Sequence, residues 1–89
     1  MYYTYVLEIK KEGVITIYIG STTNLRNRLK KHKNNSVKTT KNHQSIKLIY
    51  YEACLNKTDA VKRENQLKTG FGKGYINRRL STYLNNMRD

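Results

Sequence analysis

The stretch TIYIGSTTNLRNRLKKH, Thr16 to His32, gathers a tyrosine, two arginines and a histidine around one glycine, where a strand gives way to a helix. Chemistry at a phosphodiester needs an activated nucleophile, positive charge at the phosphate and help for the leaving oxygen. Tyr18, Arg28 and His32 are residue types that could meet the first two needs. The third is often met by Mg²⁺, a hard ion that takes carboxylate oxygen, so the acidic residues decide what is possible. There are only six. Glu12 falls in a hairpin turn, Asp89 is the last residue, Asp59 has a capping-type position, and Glu8 and Glu52 lie at strand ends, where solvation is expected. Glu64 is different, because it interrupts the apolar face of a helix and needs a partner there. An ion pair with Lys68, four residues on, would satisfy it; so would a metal. A two-metal centre with three or four clustered carboxylates is hard to build from this set. If a metal is used, the composition favours a single ion on one glutamate.

Other chemistries find less support. Cys54 is the only cysteine, has no catalytic partner pattern nearby and follows an apolar run, so it reads as an ordinary half-buried thiol. His32 and His43 with one cysteine do not make a zinc spacing. No glycine-rich phosphate loop of the P-loop type occurs.

The charge narrows the partner. Eighteen Lys and Arg against six Asp and Glu give a formal net charge of +12 on 89 residues. So large a charge on one small domain, residues 1–89, points to a polyanion, with nucleic acid first. An anionic membrane surface is the weaker alternative, because the basic residues are spread along the chain and not gathered on one amphipathic helix. No apolar run approaches the roughly 20 residues that span a bilayer. The N-terminal MYYTYVLEIKKE lacks the basic n-region and small-residue cleavage site of a signal peptide. An intracellular, cytoplasmic protein free of disulfides is the expectation.

The elements that must position these residues follow from periodicity. YYTYVLEI is aromatic, β-branched and alternating, which predicts a strand. KKEG predicts a turn and VITIYIG a second strand, so residues 2–20 form a hairpin. Thr22 or Thr23 is the expected cap of the next helix, on which Leu25, Arg28, Leu29 and His32 share a face. Residues 33–44 read as a polar, mobile loop. SIKLIYYEA is a third strand. Asn56 or Thr58 opens a second helix with Ala60, Val61, Glu64 and Leu67 on one face, and Gly70 is expected to end it. After FGKG, the residues Ile76, Leu80, Tyr83, Leu84 and Met87 mark a third helix. The expected fold is an α/β domain of α+β type: a small three-stranded antiparallel sheet flanked by three helices, in the order ββαβαα.

With these pieces in place, YIGSTTNLRNRLKKH closely resembles the second half of the signature of GIY-YIG endonucleases: Tyr18-Ile19-Gly20, then Arg28 eight residues after the glycine. Tyr3-Thr4-Tyr5 stands where the first half belongs, with Tyr5 matching its tyrosine; the glycine of the family name is absent. DAVKRENQLKTGFGKGYINRRL resembles the later helical region, with Glu64 in the metal-ligand position. The likeness extends to the nuclease domain of the bacterial excision-repair subunit and to the catalytic domains of homing endonucleases. It implies that Tyr5 and Tyr18 are paired strand tyrosines, one of which acts as general base or orients the attacking water. It implies that Arg28 contacts the scissile phosphate and that Glu64 holds one divalent ion, Mg²⁺ or Mn²⁺. His32 matches a position near the nucleophile, and Asn77 is the candidate for an asparagine on the last helix. Ser21 stands where some repair members carry lysine. The basic residues Arg26, Lys30, Lys31, Lys73, Arg78 and Arg79 are the candidate phosphate contacts.

Read without the resemblance, several of these residues have plainer accounts. Tyr5 alternates with Tyr3, Leu7 and Ile9 as a core residue would. His32 alone reads as a solvated helix residue, and Arg28 as one more surface charge. Ile15, Ile17 and Ile19 face one side of their strand and Tyr18 the other, while Gly20 permits close approach where strand becomes helix. The expected function is metal-dependent endonucleolytic cleavage of DNA, duplex or branched, with target choice supplied by DNA structure, a lesion, a partner or another domain. The rival is a nucleic-acid-binding module that keeps the fold without activity.

Overall fold

The computed structural model describes residues 1–34, 37 and 40–88. Strands β1 (Tyr2–Lys11) and β2 (Val14–Thr22) form the expected hairpin. Lys11 pairs with Val14, leaving a two-residue loop. Glu12 and Gly13 both have positive φ, 53° and 80°, the pattern of the tight turn whose twist suits a hairpin. Strand β3 (Ser45–Cys54) pairs antiparallel to the other side of β1, giving the order β2-β1-β3. The β1–β3 register shifts between Val6 and Leu7.

As the central strand, β1 is covered on both faces, which is why Thr4, Tyr5, Val6 and Leu7 are all buried in succession. Helix α1 (Leu25–Lys33) lies over one face. There Tyr5, Leu7 and Ile9 pack with Tyr18, Leu25, Leu29, Ile46 and Leu48. Helices α2 (Lys57–Leu67) and α3 (Gly70–Arg79) cover the other. There Val6 and Ile19 pack with Leu67 and Ile76. A polar network closes this side: Arg63 grips both oxygens of Glu52, and Tyr50 donates to the same carboxylate. Glu52 is therefore tied down by an ion pair, where the sequence suggested solvation. Glu8, likewise expected to be solvated, accepts from the Tyr83 hydroxyl at 3.2 Å.

The class, the sheet and the element order are as expected, and the differences lie at boundaries. Strand β2 runs on through Thr22, so Asn24 caps α1, its side chain accepting from the Asn27 amide at 3.1 Å. Asn56, not Thr58, caps α2. Gly70 does not end a helix but opens α3, with Thr69 as cap. The corner is tight: a Cβ at Gly72 would lie 2.0 Å from the Leu67 carbonyl oxygen, so only glycine fits. The last helical segment is broken at Leu80 into α3 and a short α4 (Ser81–Arg88). Ile15, Ile17 and Val61, expected on covered faces, are substantially exposed, because β2 is an edge strand and α2 presents only Ala60 and Leu67 inward. Within the loop expected over residues 33–44, Val37 and Thr40 are buried. Asn35, Ser36, Lys38, Thr39 and Asp89 lie outside the described residues, as does the Met87 side chain.

Candidate active site

Four of the expected site residues meet on the α1 side of the sheet. Tyr5 comes from the central strand, Tyr18 from its neighbour β2, and Arg28 and His32 from one face of α1. The periodicity that put Leu25, Arg28, Leu29 and His32 together thus aims two polar side chains at the two tyrosines. The Tyr5 hydroxyl lies 2.8 Å from His32 Nε2 and accepts from Arg28 Nε at 3.2 Å. The Tyr18 and His32 rings meet edge-on with centroids 4.9 Å apart, and Tyr18 and Tyr5 are 6.2 Å apart.

Burial grades these residues. Tyr5 is 1% exposed and His32 fully buried, whereas Tyr18 and Arg28 are half-buried. The core placement that alternation suggested for Tyr5 is correct, and its hydroxyl still belongs to the polar cluster. The solvated reading of His32 is overturned: the imidazole is enclosed, with Nδ1 on the Thr40 hydroxyl at 2.8 Å. Burial pushes the His32 pKa down to about 4, and the Arg28 charge adds to this. Its imidazole is neutral at physiological pH. Burial also pushes the Tyr5 hydroxyl up to about 12, the Arg28 hydrogen bond acting in the opposite sense. Arg28 is held firmly charged, first by its hydrogen bond to Tyr5. Among the described residues no carboxylate pairs with it; the two ion pairs are Arg63–Glu52 and Lys68–Glu64. A half-buried guanidinium without an internal anion is suited to an external one.

Gly20 has a steric role here. A Cβ at this position would lie 2.6 Å from the Tyr5 hydroxyl and 3.1 Å from the Tyr18 ring. Gly20→Ala must displace one or both tyrosines. We expect a loss of about 1–3 kcal/mol, a melting point lower by about 5 °C or more, and weakened cleavage. A variant with wild-type melting and activity would show that the glycine is not needed for the Tyr5 position.

Glu64 stands on the opposite face of the sheet, on α2, and reaches the edge of β2 through Ser21: the Ser21 hydroxyl donates to Oε1 at 2.7 Å. Oε2 accepts from Lys68 Nζ at 2.7 Å, the i+4 ion pair that the spacing allowed. Glu64 makes no direct hydrogen bond to Tyr5, Tyr18, Arg28 or His32; Ser21 and Gly20, adjacent on β2, link the two groups. Among the described residues no three of His, Cys, Asp and Glu cluster to hold a metal. The donor set still fits one hard divalent ion, which needs few protein oxygens and keeps waters and phosphate as its remaining ligands. The carboxylate is partly exposed and its lysine partner is 51% exposed and free to swing away.

The basic residues divide. Arg26, Lys30 and Lys31 are exposed on α1; Arg78 and Arg79 are exposed in the last turn of α3. Lys73 and Asn77 line a groove beside Tyr18, together with Lys68. Two participants escaped the sequence reading. Thr40 carried no signal, since it lies in an aperiodic polar segment. Ser21 stood next to the motif without a partner that sequence could supply.

No helix among the described residues is long and apolar enough to cross a membrane. A family model, the GIY-YIG catalytic domain, matches residues 1–79. The chain is 39% identical over 69 residues to a UPF0213 protein of Clostridium perfringens, covering 76% of this chain and 71% of that one. A UPF0213 protein of Pediococcus pentosaceus is 40% identical over 68 residues, covering 75% and 68%. One from Staphylococcus haemolyticus is 32% identical over 69 residues, covering 76% and 80%. No solved structure matches.

Proposed function

The chain belongs to the GIY-YIG catalytic-domain family, a family of endonucleases, and from that premise we propose that it hydrolyses phosphodiester bonds in DNA with the help of one divalent ion. The observation that carries this reading is Arg28: a half-buried charge that no carboxylate among the described residues pairs with, hydrogen-bonded to the buried Tyr5 of the central strand. A phosphate docked on it would lie next to the Tyr18 side chain. Tyr18, the more exposed tyrosine, orients the attacking water or takes its proton. Arg28 stabilises charge that develops on the phosphate oxygens. Tyr5 and His32 hold Arg28 and the Tyr18 ring in place from below.

Glu64 would hold the metal, Mg²⁺ or Mn²⁺, which when bound supplies Lewis-acid stabilisation of the leaving oxygen. Lys68 would release the carboxylate and become free for a phosphate. Ser21 would keep the remaining oxygen in orientation. The substrate is DNA, duplex or branched, and its selection rests on structure, a lesion or a partner. A role in DNA repair suits such a choice. The basic residues Arg26, Lys30, Lys31, Lys73, Arg78 and Arg79 provide the electrostatic footprint. One observation favours a binding module instead, namely that both Glu64 oxygens already have partners.

The charge predicts steep salt dependence. If about three phosphates are neutralised, DNA affinity should fall about 40-fold between roughly 50 and 200 mM salt. It should also depend little on base sequence, since the sequence carries no evident recognition-helix motif. Fluorescence anisotropy across that range tests this, and a flat response would count against nucleic acid as the partner. Cleavage of duplex, branched and single-stranded DNA, with and without Mg²⁺ or Mn²⁺, tests the nuclease reading itself.

A further inference from the structure

The His32 imidazole is neutral and enclosed, so its two nitrogens must differ: one carries a proton and the other accepts one. Which is which decides the direction of its two hydrogen bonds, to Thr40 and to Tyr5. The Thr40 side chain bears on the choice. It is fully buried, and its Oγ1 lies 2.8 Å from His32 Nδ1. The same hydroxyl donates to the Val37 carbonyl at 3.4 Å. A hydroxyl has one proton, and a carbonyl can only accept. Directing that proton to Val37 leaves the Thr40 oxygen to accept from Nδ1–H, the shorter of its two contacts. His32 Nε2 is then the lone-pair nitrogen, and it faces the Tyr5 hydroxyl at 2.8 Å. In this tautomer Tyr5 donates to His32. Its oxygen keeps its lone pairs for Arg28 Nε, which can only donate.

We propose that Thr40 is a positioning residue, whose buried hydroxyl fixes His32 in the Nδ1–H form and thereby sets a one-way hydrogen-bond chain from Arg28 through Tyr5 and His32 to Val37. The proposal rests on the nuclease reading above for its consequence in catalysis, but not for its geometry. In the opposite tautomer, Nε2–H would point at the Tyr5 oxygen. That hydrogen would compete with Arg28 for the lone pairs and turn the Tyr5 proton elsewhere. The guanidinium would then share that oxygen with a second donor, which would weaken its anchor and its aim at a phosphate. Thr40 thus acts on Arg28 across two intervening side chains. The segment between α1 and β3, which looks like a bare connection in the sequence, supplies the residue that sets the site's polarity.

The experiment is nitrogen-15 NMR of protein labelled at histidine, where long-range proton–nitrogen correlations distinguish the two tautomers. Wild-type His32 should show a protonated Nδ1 and a bare Nε2. Thr40→Ser keeps the hydroxyl and should keep that pattern and the wild-type kcat. Thr40→Val keeps the shape and loses the acceptor. It should lose the Nδ1–H pattern, and its kcat should fall about tenfold with KM for DNA little changed. A wild-type His32 protonated at Nε2 would overturn the proposal. So would a Thr40→Val protein that retains Nδ1–H or wild-type kcat. The tautomer is read on the wild-type chain, so it is decided even if Thr40→Val does not fold. If no DNA is cut under any condition, the nuclease reading falls, and the NMR pattern still decides whether Thr40 orients His32.

Discussion

Glu64→Gln should abolish cleavage and leave the melting temperature within about 4 °C of wild type. Glutamine has almost the shape of glutamate and can still accept from Ser21, whose hydroxyl lies 2.7 Å from Oε1. What it lacks is the anionic oxygen that a hard divalent ion requires. The stability side follows from Lys68. A buried ion pair that loses one partner costs about 3–5 kcal/mol, because a charge is left uncompensated. This pair is different: the Lys68 side chain is 51% exposed, so its ammonium returns to water when the carboxylate is gone. Helix pairs of this kind contribute about 0.3–0.5 kcal/mol. DNA affinity should persist or rise, since a negative charge leaves a basic surface. Metal-dependent cleavage and a melting curve on one protein therefore test both roles. A stable variant that cuts normally would remove Glu64 from the metal site. A drop of more than about 10 °C would make it a structural residue. A protein that binds DNA but never cuts it, wild type included, would favour the binding module.

The sequence made the helix faces and the hairpin legible because both rest on local periodicity. The face of α1 is the clearest case: the i, i+3, i+4, i+7 spacing of Leu25, Arg28, Leu29 and His32 brought the right side chains to the right side. What periodicity could not give was depth. His32 on a basic helix looks solvated, and its burial depends on two partners, the Tyr5 hydroxyl and a threonine eight residues away in a segment without pattern. Glycine misled in a different way. Gly70 and FGKG read as a helix stop and a loop by propensity, yet the α2–α3 corner needs the missing Cβ of Gly72 for the chain to pass the Leu67 carbonyl. Tertiary contact overrides propensity there. For Glu64, the i+4 partner was legible and is present. The sheet lying between it and the tyrosines was not, because strand order and helix faces together decide which side of the sheet a helix residue reaches.

Tyr18→Phe should lower turnover about 10²-fold or more while leaving the fold almost untouched, and Tyr5→Phe should do the reverse in emphasis. The two tyrosines differ in where their hydroxyls are spent. Tyr5 is buried, its pKa stands near 12, and its hydroxyl bridges Arg28 and His32. At neutral pH it keeps its proton, and water has little access to its oxygen. Removing that oxygen leaves the enclosed His32 Nε2 and the Arg28 Nε each short of a partner, at a cost of about 1–3 kcal/mol. The melting temperature should fall by about 5 °C or more, and turnover should fall through Arg28, whose support is gone. Tyr18 is half-buried, and its ring packs against His32 and Tyr5. Phenylalanine preserves that ring, so melting should shift by no more than about 2 °C. The hydroxyl lost belongs to the more exposed of the two tyrosines, beside the proposed phosphate position. Melting curves and single-turnover cleavage of the two variants separate the roles. If Tyr18→Phe cuts at the wild-type rate, Tyr18 does not act on the water. If Tyr5→Phe is as stable as wild type yet inactive, the buried tyrosine is the reactive one, and burial was a poor guide to its part in the reaction.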